Sequence, residues 1–212
     1  MRIVAYTAIF GGYDRVVPPK NPNPNVDYVL FTDKPVKTKT WEVVQVRVKG
    51  LAPRKSSRYF KILAHKHFPN ADITIWHGGW LILNGDPTRA IKYLGDCDIA
   101  MEPHKERGCL YQEAHTCINR KLASGPIVQR QIMAYRKDGF PSNYGLTSAF
   151  FIVRRNTEKI AEMERLWWEQ VKNFSARDQV SLMYCLWKCG IDYSKIPVGP
   201  RKHGLYRTQK HA

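Results

Sequence analysis

Apolar residues fall in short unbroken runs along the first half of the chain and at helical spacing along the second. Residues 2–9 and 26–33 are runs of strand formers that read as buried strands, and the proline-rich stretch 18–25 between them can only be a loop. Residues 41–48 alternate as a third strand and residues 72–76 form a fourth. The spacing predicts a helix over 54–67, with Tyr59, Ile62 and Leu63 on one face and Arg54, Arg58, Lys61 and Lys66 on others. A helix near 87–94 and a short strand at 99–100 follow, then a mixture of charge, Cys, His and Gly over 103–125 that reads as an active-site loop region. Beyond it come a helix at 127–137, a strand at 146–153 and a long helix marked by Ile160, Met163, Trp167 and Val171. A last helix is expected from near Ser175, with Val180, Met183, Tyr184 and Trp187 on its apolar face, and the basic tail 201–211 is expected to be partly mobile. Strand alternating with helix predicts an α/β fold.

Two strands end in glycine pairs. The first runs through Thr7 into Phe10-Gly11-Gly12-Tyr13-Asp14, and the fourth into His77-Gly78-Gly79. In open α/β sheets ligands sit beyond the carboxyl ends of strands, where small residues let the backbone approach the ligand. A plain strand followed by a tight turn gives the same pattern.

The chain has 212 residues, 43% of them hydrophobic, enough for one substantial core and consistent with a single domain over 1–212. No run reaches the ~18 apolar residues that span a bilayer, and the first residues lack the layout of a signal peptide, so the expectation is a cytoplasmic protein without a membrane partner. Five cysteines in such a chain are expected to be reduced thiols. The net charge is +16, and residues 34–66 and 179–212 carry +9 and +5 of it. Clustering of this kind attracts polyanions, although a solvated basic face has the same signature.

Several segments taken together are more specific than any one of them. In order they are residues 6–14, Phe31-Thr32-Asp33, Arg58-Tyr59-Phe60-Lys61, Ile75-Trp76, Asp86-Pro87, His104 to Arg107 with Cys109 and Glu113, and Arg177-Asp178-Gln179 with Val180 to Leu182. The chain resembles the hexosyltransferase-like family known from plant mucilage and pollen proteins, over nearly its whole length. The resemblance implies a single-domain GT-A glycosyltransferase fold with a mixed central sheet. Residues 1–100 would bind a nucleotide sugar, a UDP-sugar first among the candidates, and residues 101–200 would receive the acceptor. The family reads an aspartate in its metal-binding motif where this chain has Gly78, which leaves the need for a divalent ion open. His77 or His203 could supply a ligand, or Arg and Lys could replace the ion electrostatically.

The resemblance implies donor contacts from Thr7, Phe10 to Asp14, Asp33, Gly78 and Gly79, with Arg54, Arg58 and Lys61 on the diphosphate. It points His104, Arg107, Glu113 and Gln179 toward the sugar or the acceptor. Asp178 is the candidate catalytic carboxylate, either as a base or as an anion facing developing oxocarbenium charge. Ser175 to Asp178 also fits a capping box, in which Asp178 only satisfies amides at a helix start. Cys97, His104, Cys109, His115 and Cys117 lack the short Cys-x2-Cys pairs of a zinc site, and Cys185 and Cys189 fit helix packing. The basic surface favours DNA with hydroxymethylated bases as acceptor, of the kind modified by virus-encoded glycosyltransferases. Glycans are the alternative, and so is a non-catalytic nucleotide-sugar or nucleic-acid binding module that has lost the reaction with the metal aspartate. Oligomeric state, donor sugar and retention or inversion at the anomeric carbon are not set by the sequence.

Overall fold

The computed structural model describes residues 1–211. Seven strands form the central sheet: β1 (Ile3–Ile9), β2 (Val26–Thr32), β3 (Glu42–Gln45), β4 (Ile73–His77), β6 (Ile99–Pro103), β7 (Thr147–Arg155) and β8 (Ser194–Lys195). Their order is β3-β2-β1-β4-β7-β6-β8. The β3-β2-β1-β4 half is parallel, and β7 runs antiparallel to both β4 and β6. The sheet is therefore mixed, as expected. Its first half reads as near-continuous apolar sequence because both faces are covered, and β1 is buried at every position.

Helices α1 (Pro53–Ile62), α2 (Ala64–His67), α3 (Leu110–Asn119), α4 (Gly125–Lys137), α5 (Glu158–Asn173) and α6 (Gln179–Lys188) pack the larger core, with Phe31, Phe60, Trp76 and Trp167 at its centre. The other face is covered by a 3-10 helix (Pro87–Tyr93) and a two-stranded sheet of β5 (Leu81–Leu83) and β9 (Tyr206–Thr208), over a core that includes Trp41, Ile75 and Phe151.

Three expectations need correcting. The segment 103–125 is not all loop: α3 lies inside it, and its buried stripe of Leu110, Ala114 and Cys117 is interrupted in sequence by polar residues, one of which, Glu113, is itself buried. The tail 201–211 is not loose. It forms α7 (Pro200–His203) and β9, anchored by the buried Glu102 carboxylate, which accepts hydrogen bonds from the Gly199 amide (2.9 Å), His203 Nε2 (3.1 Å) and the Tyr206 hydroxyl.

The helix expected over 54–67 breaks at Leu63. A helix end leaves carbonyls without partners, and here the buried Arg154 of β7 takes them. Its guanidinium donates to Lys61 O (2.9 Å) and Ile62 O (3.3 Å), to the Tyr6 hydroxyl, and to Glu164 Oε1 (2.6 Å). The other Glu164 oxygen accepts from the His65 amide (3.0 Å), the donor that would have continued α1. Replacing Arg154 with Leu should cost about 3–5 kcal/mol in urea unfolding, because it strands a buried carboxylate. Adding Glu164→Gln to that variant should recover more than about 1 kcal/mol, and a strictly additive loss would show that the two groups do not act as a pair.

Candidate functional site

At the carboxyl ends of β1 and β4, beside the start of β7, lies a cavity of about 470 Å³. Gly11 and Gly12, both with φ of +68°, turn the chain out of β1 so sharply that a Cβ on Gly11 would sit 3.1 Å from Pro53 Cβ. That approach brings the first turn of α1 against the β1 turn and lays Arg54, Arg58 and Lys61 along one wall of the cavity. Asp33 clasps the same turn, both its oxygens accepting from the Gly11 amide at 3.0 and 3.1 Å. It faces an adjoining hollow of about 280 Å³ that Arg47, Lys49 and Phe10 also line.

Asp178 lines the cavity beside these cations and is 5% exposed. It precedes α6 without capping it: its side chain accepts no amide hydrogen bond from the helix, contrary to the capping-box reading. Instead Oδ1 lies 2.8 Å from Arg58 Nε, and Oδ2 accepts from Lys61 Nζ. The Lys61 ammonium donates also to the Ala149 carbonyl and lies over the rings of Trp76 (5.8 Å) and Trp167 (5.4 Å). Ala149 has φ of +51°, a strained conformation for a residue with a Cβ, and it lines the cavity. Burial pushes the Asp178 carboxyl up, but Arg58 and Lys61 more than reverse this and bring it down to about 2. Burial lowers the Lys61 ammonium to about 8 even though Asp178 acts to raise it. Arg177, which lines the cavity, points its guanidinium 3.6 Å from Glu113, and Glu113 accepts from Arg107 at 2.8 Å.

Beneath this cluster the glycine pair after β4 admits other side chains. A Cβ on Gly78 would lie 3.0 Å from the Trp80 indole nitrogen, and one on Gly79 would lie 2.7 Å from Asp14 Oδ2. Asp14 accepts from His211 Nδ1 at 2.6 Å. A divalent ion held by protein ligands needs several oxygen or imidazole donors converging on one point. Gly78 supplies none, and among the described residues no group of three or more His, Cys, Asp or Glu converges. The residues present do not fit such an ion.

Of the expected donor residues, Phe10, Tyr13, Asp14, Arg54, Arg58, Lys61, Gly78 and Gly79 line the cavity, and Asp178 and Gln179 join them. Thr7 is buried in β1 and Gly11 and Gly12 form the turn, so none of the three lines it. His104 and Arg107 do not line it either: His104 accepts from the Glu106 and Arg107 amides, both at 3.1 Å, and Glu113 reaches the cavity only through Arg177. Neither candidate metal histidine is placed for that role. His77 packs beside Trp41 on the far face of the sheet, where burial lowers its imidazole to about 4, and His203 is tied to Glu102. Sequence reasoning missed Ser57, Trp80, Arg177 and His211 as wall residues. Trp80 and His211 carried no periodic signal, whereas Arg177 stood beside Asp178 in a segment already singled out.

A parallel four-strand half joined through an antiparallel strand to the rest of a mixed sheet, with a cation-lined cavity at the strand ends, places a ligand site where open α/β sheets carry theirs. A family model, "TOD1/MUCI70, glycosyltransferase-like domain", matches residues 1–197, and the chain belongs to that family. It is 23% identical over 209 residues to the Arabidopsis thaliana protein named "Probable hexosyltransferase MUCI70", covering 84% of this chain and 36% of that one. The chain thus spans little more than a third of that relative's length. Among solved structures it aligns with the apo form of the bifunctional glycosyltransferase WbbM at 14% identity and a TM-score of 0.47, covering 93% of this chain and 38% of the other. No described helix is long and apolar enough to cross a membrane.

The buried cluster dictates a pH effect. Asp178→Asn leaves the Lys61 ammonium without its counter-ion and should cost about 3 kcal/mol or more near neutral pH. Asp178 helps hold the Lys61 ammonium up at about 8 in the unaltered chain, so in the variant it falls lower still. A lysine whose folded-state value lies below its unfolded one binds more protons when unfolded, and the variant should regain stability as pH rises from below about 8 toward the ordinary lysine range. Asp178→Asn with Lys61→Met should lose much of that pH dependence. A deficit that stays flat from pH 6 to 10 in chemical denaturation would rule out the charged pair as its cause.

Proposed function

We propose that the chain transfers a hexosyl group from a nucleoside diphosphate sugar, a UDP-sugar, to an acceptor hydroxyl. The observation that carries this reading is a carboxylate, Asp178, kept ionised by Arg58 and Lys61 inside a cavity at the strand ends. Sugar transfer develops positive charge at the anomeric carbon and negative charge on the leaving diphosphate. A fixed anion beside fixed cations matches both charges without reorganisation. In this reading Asp178 faces the anomeric carbon and Arg54 and Arg58 receive the diphosphate, while Lys61, only 3% exposed, serves as the counter-ion of Asp178. The hollow bounded by Phe10 and Asp33 takes the nucleoside, and Gln179, which donates to Thr147 O at 2.7 Å, stands at the sugar. With Gly78 in the place of a metal carboxylate, side-chain cations carry the electrostatic load of the diphosphate.

A second reading of the acceptor is DNA bearing hydroxymethylated bases. Exposed Arg47, Lys49, Arg207 and Lys210 belong to the two segments that carry most of the +16 charge, and the first two border the hollow. A glycan acceptor accords equally with the family. The deciding assay offers hydroxymethylcytosine or hydroxymethyluracil DNA, unmodified DNA and a panel of glycans with several UDP-sugars, and follows mass gain by one sugar. A DNA acceptor requires affinity that falls steeply with salt and modification of single-stranded or mismatched sites at least as fast as paired ones. Transfer to a glycan with none to DNA removes the nucleic-acid reading, and donor binding without transfer to any acceptor leaves only a binding module.

The cation reading has its own test. EDTA should leave donor binding and transfer largely intact. Arg54→Ala, whose guanidinium reaches only Leu122 O at 3.4 Å, should weaken donor affinity by about 1.5–3 kcal/mol in calorimetry without unsettling the fold. Strict dependence on manganese or magnesium would overturn it.

A further inference from the structure

Sugar transfer to a hydroxyl needs a group that accepts the hydroxyl proton, and Asp178 is poorly suited to that task. Its carboxylate already faces Arg58 and Lys61, and a carboxylate so neutralised pulls weakly on a proton. Among the described residues the cavity has one other carboxylate, Asp14, whose side chain is 8% exposed and lies over the glycine pair. Its hydrogen-bond partner is His211 Nδ1, at 2.6 Å. A carboxylate only accepts, so Nδ1 carries the hydrogen and Nε2 is left with a free lone pair. Among the described residues nothing hydrogen-bonds that second nitrogen.

The imidazole is not a loose end. Its ring centroid lies 4.9 Å from that of Tyr13 and 6.1 Å from that of Trp80, two more walls of the cavity. Two residues earlier Gln209 fastens the backbone: its amide nitrogen donates to Trp80 O (2.9 Å) and its side chain to Arg15 O (2.9 Å) and Gly79 O (3.0 Å). The Glu102 anchor holds the segment before that.

We propose that His211, oriented by Asp14, is the base that takes the proton from the acceptor hydroxyl. This rests on the sugar-transfer reading above and adds a residue to it. In the step, Nε2 binds the hydroxyl proton as the acceptor oxygen forms its bond to the anomeric carbon. The bond from that carbon to the diphosphate oxygen breaks, and its electron pair leaves with the nucleoside diphosphate. Asp14 stabilises the imidazolium so formed, which afterwards gives its proton to solvent. Asp14→Asn would keep an amide oxygen to accept from Nδ1 but carry no charge to stabilise that imidazolium.

The test measures UDP release from a panel of UDP-sugars by the full chain, with water and with alcohols as acceptors. His211→Ala should lower turnover at saturating donor by about 100-fold or more, with donor affinity by calorimetry within about threefold of the unaltered chain. Added imidazole should restore at least about tenfold of that loss, and Asp14→Asn should lower turnover by about tenfold or more. Rescue by imidazole separates a missing base from a displaced tail. Turnover of His211→Ala within about threefold of the unaltered chain, or a loss matched by lost donor affinity, overturns the base alone. So does an unaltered chain whose turnover requires manganese that His211→Ala no longer binds, since His211 would then be a ligand. An unaltered chain that releases no UDP from any sugar overturns sugar transfer and the base with it.

Discussion

A guanidinium without access to water fixes the geometry on which everything else depends. Arg154 leaves β7, crosses under β1 and ends α1 by claiming the carbonyls of Lys61 and Ile62. A charge in that position is tolerated because Glu164, the Tyr6 hydroxyl and the two carbonyls together take up its two terminal nitrogens. The consequence lies one residue away. With its backbone carbonyl held by Arg154, Lys61 has its ammonium aimed at Asp178 and Ala149, so the far end of the cavity is set by a contact that never touches its contents.

Two charge clusters of this kind share one logic. Glu102 gathers an amide, an imidazole and a phenol from the tail, and Asp178 gathers an ammonium and a guanidinium from α1. Each buried carboxylate joins segments distant in sequence, and each would be costly without its partners. The Asp178 cluster lines the cavity directly, and the tail reaches it through His211. The cavity's polarity follows from that: cations on the α1 side, an Asp and His pair on the tail side, aromatic rings around Trp76 and Trp80.

Much of the architecture was legible because it rests on local pattern. Apolar runs ending in glycine marked β1 and β4, and helical spacing marked α4, α5 and α6. What was hidden depended on contacts between segments far apart. Nothing local in residues 54–67 says that position 63 breaks the helix, since the cause is an arginine about ninety residues later. The stripe of α3 was masked because buried Glu113 and its neighbours look like solvent-facing charge. The basic tail read as mobile because its anchor, Glu102, belongs to β6. In the cavity, the residues on strand ends and on the face of α1 could be read from the sequence, whereas His211 could not. Its role in the wall arises only because β9 pairs with β5.

The tail also has a bearing on how the molecule is made. His211 and Asp14 are 197 residues apart, and Gln209 reaches back 194 residues to Arg15. A chain synthesised from its amino end lays down the β1 turn, α1 and the Asp178 wall well before the segment that closes over them. Closure of that side therefore waits on the arrival of β9 and His211. The contacts of the buried arginine and of Asp178 draw on no residue of the tail, so one wall of the cavity is built from segments complete before the other is synthesised.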